Sequence, residues 1–293
     1  METANAERAR TARRGTTLVV GGTGKTGRRV VERLRSRGMA VRVGSRSGEV
    51  PFDWEDRGTW ASALREVGSA YVTYYPDVAV PGAADTIGSF AELAVESGVR
   101  RLVLLTGRGE EEAQRAEQTL QESCARVGAK ASAEWTVVRA SWFNQNFSEG
   151  FFLEPILAGE VALPADEMPE PFVDADDIAD VAVAALTEDG HANRVYEVTG
   201  PRLLTFAEAI EEIGRACRRE LRYVPISTEA FASALAEQGV PDDLTGLLRY
   251  LFTEVLDGRN AHLTDGVRRA LGREPRDFAD YARDVAATGV WNG

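Results

Sequence analysis

The stretch Thr17–Gly27, TLVVGGTGKTG, constrains this chain more than any other. Four glycines crowd into seven residues directly behind an apolar run. Two loops are built that way, a P-loop and a dinucleotide-binding turn. A P-loop requires Gly-x-x-x-x-Gly-Lys-[Ser/Thr]. Counting back from Gly24-Lys25-Thr26 reaches Val19, inside the apolar run, so the phosphate cradle would have to be strand. The spacing rejects the P-loop. Gly21, Gly24 and Gly27 instead give Gly-x-x-Gly-x-x-Gly, and Gly22 completes Gly-x-Gly-x-x-Gly. Leu18–Val20 reads as a strand, and Thr26–Arg37 as a helix with Val30, Val31 and Leu34 on one face. Gly38 ends that helix and residues 40–43 supply a second strand. Strand, glycine turn, helix and strand in sequence are the context in which such glycines serve a pyrophosphate.

The alternation continues. Helices are expected at 59–67, 83–97 and 110–127, the last ended by Gly128, and strands at 70–74, 101–105 and 135–139. Val- and Leu-rich strands separated by helices mean a parallel sheet covered on both faces. After Ala140 the rhythm breaks into aromatic and Pro-rich loops over 141–171. A helix at 178–186 and a strand at 194–199 follow, then a mostly helical tail with a short strand near 221–224. The expected fold is α/β: a Rossmann-like doubly wound sheet with a smaller, mostly helical C-terminal substrate domain. The boundaries are a disordered tail over 1–15, a nucleotide-binding core over 16–150, and a substrate domain over 151–293 whose residues 172–200 return to the core.

Composition closes off other functions. A net charge of −12 argues against nucleic acid, whose phosphates require a basic surface. No apolar run reaches a membrane span, and the Arg-rich start lacks the apolar segment of a secretory signal. Two cysteines and two histidines without ligand spacing give no metal site and suit a reducing, cytoplasmic setting. Lysine stands only at 25 and 130, the arginine-for-lysine usage of a GC-rich bacterial genome.

Ligands of such sheets sit outside the carboxyl ends of the strands. That rule selects Gly21–Gly27, Gly44–Ser47, Tyr74–Pro76, Thr106–Gly109 and Ala140–Asn146. The cofactor-binding set is Gly21, Gly22, Thr23, Gly24, Lys25, Thr26, Gly27, Ser45, Arg46, Tyr74, Tyr75, Pro76, Thr106 and Gly107. An NAD site carries a carboxylate at the end of the second strand to accept from the ribose hydroxyls. Here that strand runs into Gly44-Ser45-Arg46-Ser47, and a guanidinium flanked by hydroxyls suits a 2′-phosphate. The cofactor expected is NADP(H), with Lys25 as a second positive charge.

Beyond the turn, the segments VGSRSG, FAELAVESGVRRLVLLTGRG, WTVVRASWFNQNFSEG, PFVDADDIADVAVAAL and VYEVTGPRLLTFAEAI resemble the NmrA-like branch of the atypical short-chain dehydrogenases/reductases. The most specific match is Arg139, Trp142, Phe143 and Asn146, an R-x-x-W-F-x-x-N pattern. The resemblance implies a Rossmann-like core with a smaller substrate domain. It also implies either a reductase of quinones and aromatic compounds or a regulator that binds the nucleotide without turnover. The Tyr-x-x-x-Lys pair of the main branch is absent, since no tyrosine is followed four residues later by lysine. The helix that would carry it offers Glu110–Glu112, Arg115 and Glu117. Glutamates at a helix start are expected to be surface residues compensating the dipole.

Without a Tyr/Lys acid the chain suits conjugated acceptors, whose reduced products are delocalised or neutral. Catalytic candidates are Tyr75, Thr106 and Asn144, with Tyr74 and Ser141 as further hydroxyls. The expected substrate-binding residues are Ser141, Trp142, Phe143, Asn146 and Phe151, beside Phe147 and Phe152 in one aromatic cluster. The function expected is an NADPH-dependent reductase of a small aromatic or quinone-like molecule in bacterial specialised metabolism such as aromatic polyketide biosynthesis. The alternatives are a nucleotide-sensing regulator, or an enzyme that couples or rearranges an aromatic polyketide. The partner is the small-molecule substrate, with neither nucleic acid nor membrane, and a homo-oligomer is compatible with this reading.

Overall fold

Residues 15–127, 133–165 and 167–292 are described by the structure, a computed structural model. Most of the expected tail, and Gly128 as a helix end, lie outside them. Strands β1 (Thr16–Val20), β2 (Val41–Gly44), β3 (Val67–Val72), β4 (Arg101–Gly107), β5 (Glu134–Ala140) and β7 (Arg194–Val198) form one sheet in the order β2-β1-β3-β4-β5-β7. Every pairing in it is parallel. The chain leaves β1 toward one edge and returns to β3 toward the other. A crevice therefore opens beyond the carboxyl ends between β1 and β3.

Alternation along the strands sends side chains to two separate cores. Leu18, Val20, Ala70, Val72, Leu102 and Leu104 face one way, packing against α3 (Ala83–Glu96) and α4 (Glu111–Val127) through Ile87, Phe90 and Leu120. Val19, Tyr71, Val103 and Val138 face the other. There they meet Val30, Val31 and Leu34 of α1 (Lys25–Ser36) and the apolar face of α7 (Ala175–Thr187). Both faces are thus covered, as a buried parallel sheet requires.

The helix expected over 59–67 is not there. A 3-10 turn at Arg57–Thr59 and a single short helix, α2 (Trp60–Ala63), precede β3, which already begins at Val67. Glu66 takes a positive φ of 61° and turns the chain into the strand. Trp60 instead anchors the segment, packing with Phe52, Trp54 and Phe90. Tertiary aromatic packing overrides helix propensity here.

The stretch 141–171, expected as loops, contains α5 (Asn146–Glu149), α6 (Leu153–Ala158) and β6 (Glu160–Leu163). Strand β6 pairs in parallel with β8 (Arg222–Pro225), a partner about sixty residues away that no local pattern announces. These elements join α8 (Phe206–Cys217), α9 (Thr228–Glu237), α10 (Asp242–Tyr250) and α12 (Phe278–Thr288) around a second apolar cluster. Phe147, Phe172, Phe206 and Phe278 lie at its centre. The short α11 (Gly266–Leu271) packs back on α7 and β7.

Helices α7 and α8 start on sequence-encoded caps. Asp174 accepts from the backbone N–H of Asp176, and Thr205 with Glu208 makes a complete capping box. Arg29 and Arg33 of α1 bind Asp176 and Asp180 of α7, and Arg29 also binds Glu149 of α5. That network fixes the helix behind the glycine turn against both later segments. Among the described residues, no helix is long and apolar enough to cross a membrane.

Candidate functional site

A cavity of about 760 Å³ opens at the carboxyl ends of β1 through β5. Its cofactor-side wall begins with the glycine turn. Gly21 has a positive φ of 67°, and a Cβ there would lie 2.2 Å from Thr73 Oγ1. Thr73 itself donates to the carbonyl of Val20 at 3.0 Å, so the ends of β1 and β3 are held together. A Cβ on Gly27 would come within 2.1 Å of the Gly21 carbonyl, which is how α1 packs so tightly on the turn. Gly24 differs, being exposed, with the Gly21 carbonyl at 3.2 Å as its nearest obstacle. The first turn of α1 carries no acidic residue and no capping side chain, which leaves its first backbone N–H groups available to an anion. Tyr71 donates to Thr26 Oγ1 at 3.0 Å and pins that helix start from below. Burial pushes the Tyr71 phenol well above its usual range, keeping it a donor.

The cation pair flanks this cradle. Arg46 is exposed at the end of β2 with its guanidinium 5.4 Å from the centre of the Tyr75 ring. Lys25 Nζ donates to Asn146 Oδ1 at 2.9 Å, and burial lowers its pKa. Glycines that permit close approach, uncapped N–H groups and two cations match a dinucleotide bearing an extra phosphate.

The far wall is apolar. Trp142 is half-buried, its ring 5.4 Å from Phe206 and 5.2 Å from Phe252. Phe151 stands exposed at the rim, and Phe152 lies behind it. Leu244, Leu247 and Leu248 of α10, with Leu251 and Val255 of the π-helical turn that follows, complete the wall. Sequence reading passed over this last group. Its signal was the spacing 244, 247, 248, 251, one face of a helix.

Of the cofactor set, Gly21, Thr23, Gly24, Lys25, Thr26, Ser45, Arg46, Tyr74, Tyr75, Pro76, Thr106 and Gly107 line this one cavity. Gly22 and Gly27 are buried in the packing behind it. Ser141, Trp142, Phe143, Asn146 and Phe151 line it as well.

The catalytic candidates fare differently. Thr106 is buried and donates to Glu117 Oε1 at 2.7 Å, which commits its proton. Asn144 is fully buried and is not part of the cavity wall, a correction to its candidacy. The loop is sewn to residue 173 on both sides, Asn144 N–H to the Val173 carbonyl and Val173 N–H to the Trp142 carbonyl, which turns Asn144 inward. Tyr75 is 69% exposed at the rim. Asn146 is held by Lys25, so it joins the glycine turn to the loop after β5.

Asp77 and Glu170 went unrecognised, and Glu110, expected at the surface, is buried. Glu110 is only 7% exposed yet lines the cavity. Its carboxylate occupies the place of the absent side chain at Gly107, where a Cβ would meet Oε1 at 1.9 Å. Asp77 lines the cavity beside it. Glu170 is fully buried and accepts from Ser141 Oγ at 3.0 Å. Nor do the other glutamates of the GEEE run behave alike. Glu112 accepts from the backbone of Gly82 at the start of α3, and Glu111 alone is exposed. The dipole argument was sound for one residue of the three. The signal available for Glu110 was its position, three residues past the glycine that ends β4.

No family model matches the chain. It is similar to the oxidoreductase YesF of Bacillus subtilis, 32% identical over 94% of this chain and 97% of that one. It is also similar to the NAD(P)H azoreductase of Xenophilus azovorans, 32% identical over 92% of this chain and 98% of the relative. Among solved structures, the Citrobacter triphenylmethane reductase complexed with NADP(H) superposes with a TM-score of 0.71. It covers 92% of this chain and 99% of its own, and at 16% identity it speaks for the fold alone. At 32% identity to YesF and to the azoreductase over nearly the whole of each chain, the chain belongs to the family of Rossmann-type, NAD(P)-binding oxidoreductases that contains them both.

Proposed function

We propose that this protein is an NADPH-dependent reductase of the NmrA-like branch of atypical short-chain dehydrogenases/reductases, acting on a small, flat, conjugated acceptor. The observation that carries the reading is the single cavity with two unlike ends. Lys25, Arg46 and the uncapped N–H groups of α1 stand at one end, and Trp142, Phe151 and the leucines of α10 at the other. Bound there, the nicotinamide supplies a hydride; the protein supplies proximity and orientation. The aromatic and aliphatic wall holds a ring against it and excludes water. The similarity to an azoreductase supports an acceptor in which the new electrons enter a conjugated system. No Tyr-x-x-x-Lys pair is present, which disfavours simple ketones, whose reduction leaves a basic alkoxide. Aromatic polyketides of bacterial specialised metabolism are the acceptor pool we favour.

The test is NADPH consumption with a panel of naphthoquinones and azo dyes, the products identified by mass spectrometry with and without NADPH. Acceptor-dependent NADPH loss is expected, with a hydroquinone two hydrogens heavier from each quinone and, for two NADPH, the two amines from each azo dye. Tight NADPH binding with no turnover across the panel would leave a nucleotide-sensing regulator instead.

A further inference from the structure

We propose that Glu110 is the proton donor of this site, passing its carboxyl proton to the oxygen or nitrogen of a neutral conjugated acceptor. The inference rests on the reductase reading and adds to it the acid that the absent Tyr/Lys pair leaves unassigned.

Place is the first argument. Glu110 is nine-tenths buried, lines the cavity, and lies against Gly107 at the carboxyl end of β4. Its Oε2 has no hydrogen-bond partner among the described residues, although it is shut off from water. A buried ionised oxygen without a partner is strongly disfavoured, whereas a protonated carboxyl carries no net charge into the same surroundings.

Surroundings are the second argument. Asp77 approaches from the segment after β3 and Glu117 from α4, and both negative charges oppose ionisation of Glu110. Tyr250 of α10 is near enough to feel it. The neighbouring cations are committed elsewhere. Arg108 is bound to Glu197 at 2.7 Å and to the carbonyl of Asn260, Arg139 holds Glu117, and Arg259 holds Asp257. Burial and these like charges hold Glu110 well above the ordinary carboxylate range, which favours its protonated form. Asp77 is raised as well, again by burial.

The step balances. The acceptor takes two electrons and one hydrogen with the hydride from NADPH. The carboxyl O–H bond of Glu110 breaks as an O–H or N–H bond forms on the acceptor. Glu110 is left as a carboxylate and regains its proton from solvent water. A cationic acceptor needs no such proton, because hydride addition alone makes it neutral.

That difference is the test. Wild type and Glu110→Gln are compared with NADPH and two acceptors, menadione (neutral) and malachite green (a triarylmethane cation), reading kcat at saturation across pH. With menadione the variant should lose about a hundredfold or more, the usual contribution of a positioned acid, and with the dye less than about threefold. The alkaline fall of the wild-type menadione profile should vanish in Glu110→Gln and return, shifted, in Glu110→Asp. Independently of turnover, infrared difference spectra of the cofactor-free wild type and Glu110→Gln should show a carboxylic-acid carbonyl band at neutral pH that the variant lacks. Equal losses on both acceptors, or no such band, overturns the proposal while leaving the reductase reading intact. If the wild type oxidises NADPH with neither acceptor, the reductase reading falls and the donor role with it.

Discussion

Arg46 projects from the end of β2 into the cavity mouth with its guanidinium over Tyr75, and Ser45 beside it offers a hydroxyl. A cation where an NAD site holds a carboxylate gives a preference that calorimetry can weigh. NADPH should bind at least about tenfold more tightly than NADH, and Arg46→Ala should erase most of that gap, about 1.5–3 kcal/mol for a charge-assisted hydrogen bond. Equal affinities for the two nucleotides in wild type would remove Arg46 from the cofactor site. Trp142 raises a different question, since it both lines the cavity and packs on Phe206 and Phe252. If its exposed face holds the acceptor, Trp142→Ala should cost about tenfold in acceptor kcat/KM while NADPH affinity stays within about threefold. A core role alone would show as a stability loss of about 3–5 kcal/mol with undiminished turnover per folded molecule. Thermal unfolding beside kinetics separates these outcomes.

At the scale of elements, the glycine turn was legible because its spacing and flanking pattern obey local rules. Two of its glycines nonetheless do opposite work, which only coordinates reveal. Gly24 lines the cavity, where a Cβ would meet only the Gly21 carbonyl, closely at 3.2 Å, whereas a Cβ on Gly27 would run into that carbonyl at 2.1 Å. Gly24→Val should therefore abolish NADPH binding in a titration while the unfolding midpoint barely moves. Gly27→Val should destabilise the fold itself by about 1–3 kcal/mol, the usual cost of overpacking. A Gly24→Val variant that binds NADPH normally would refute the cradle. Strands β1 to β5 and helices α1, α3, α4 and α7 were readable from periodicity alone, with boundary shifts of a few residues. What escaped was non-local. Strand β6 exists because β8 reaches it, Trp60 is anchored by Phe90, and Glu110 shares the cavity wall with Asp77 and the leucines of α10. None of these partners is near in sequence.

For the whole molecule, Glu170 couples stability to pH. It lies fully buried beneath Ser141, and burial raises its pKa from 4.5 to about 7. The unfolded chain gives up this proton near 4.5 and the folded chain only near 7, so the folded state holds the extra proton in between. Its contribution is full below about pH 4.5 and is lost as pH rises through 7. Glu170→Gln should remove that slope, gaining about 2–3 kcal/mol on wild type between pH 5 and pH 8 in denaturant titrations. A wild-type slope unchanged in the variant would assign the effect to other carboxyls.

The path of the chain has one more consequence. Strand β7 pairs with β5, yet residues 141–172, which help build the second apolar cluster, intervene between them. The rest of that cluster comes from beyond residue 200. With α11 returning to the sheet and α12 leaving it again, the backbone crosses between the two bodies five times, and neither can be completed from one uninterrupted stretch. During synthesis the sheet must wait with an open edge at β5 until the inserted segment has emerged. Its final helix, α12, packs on α8 only after the whole chain is available. Assembly is therefore expected to be slow and all-or-none, dominated by distant contacts. A deletion that removes α12 should leave an aggregating chain with an exposed apolar core, not a smaller working sheet.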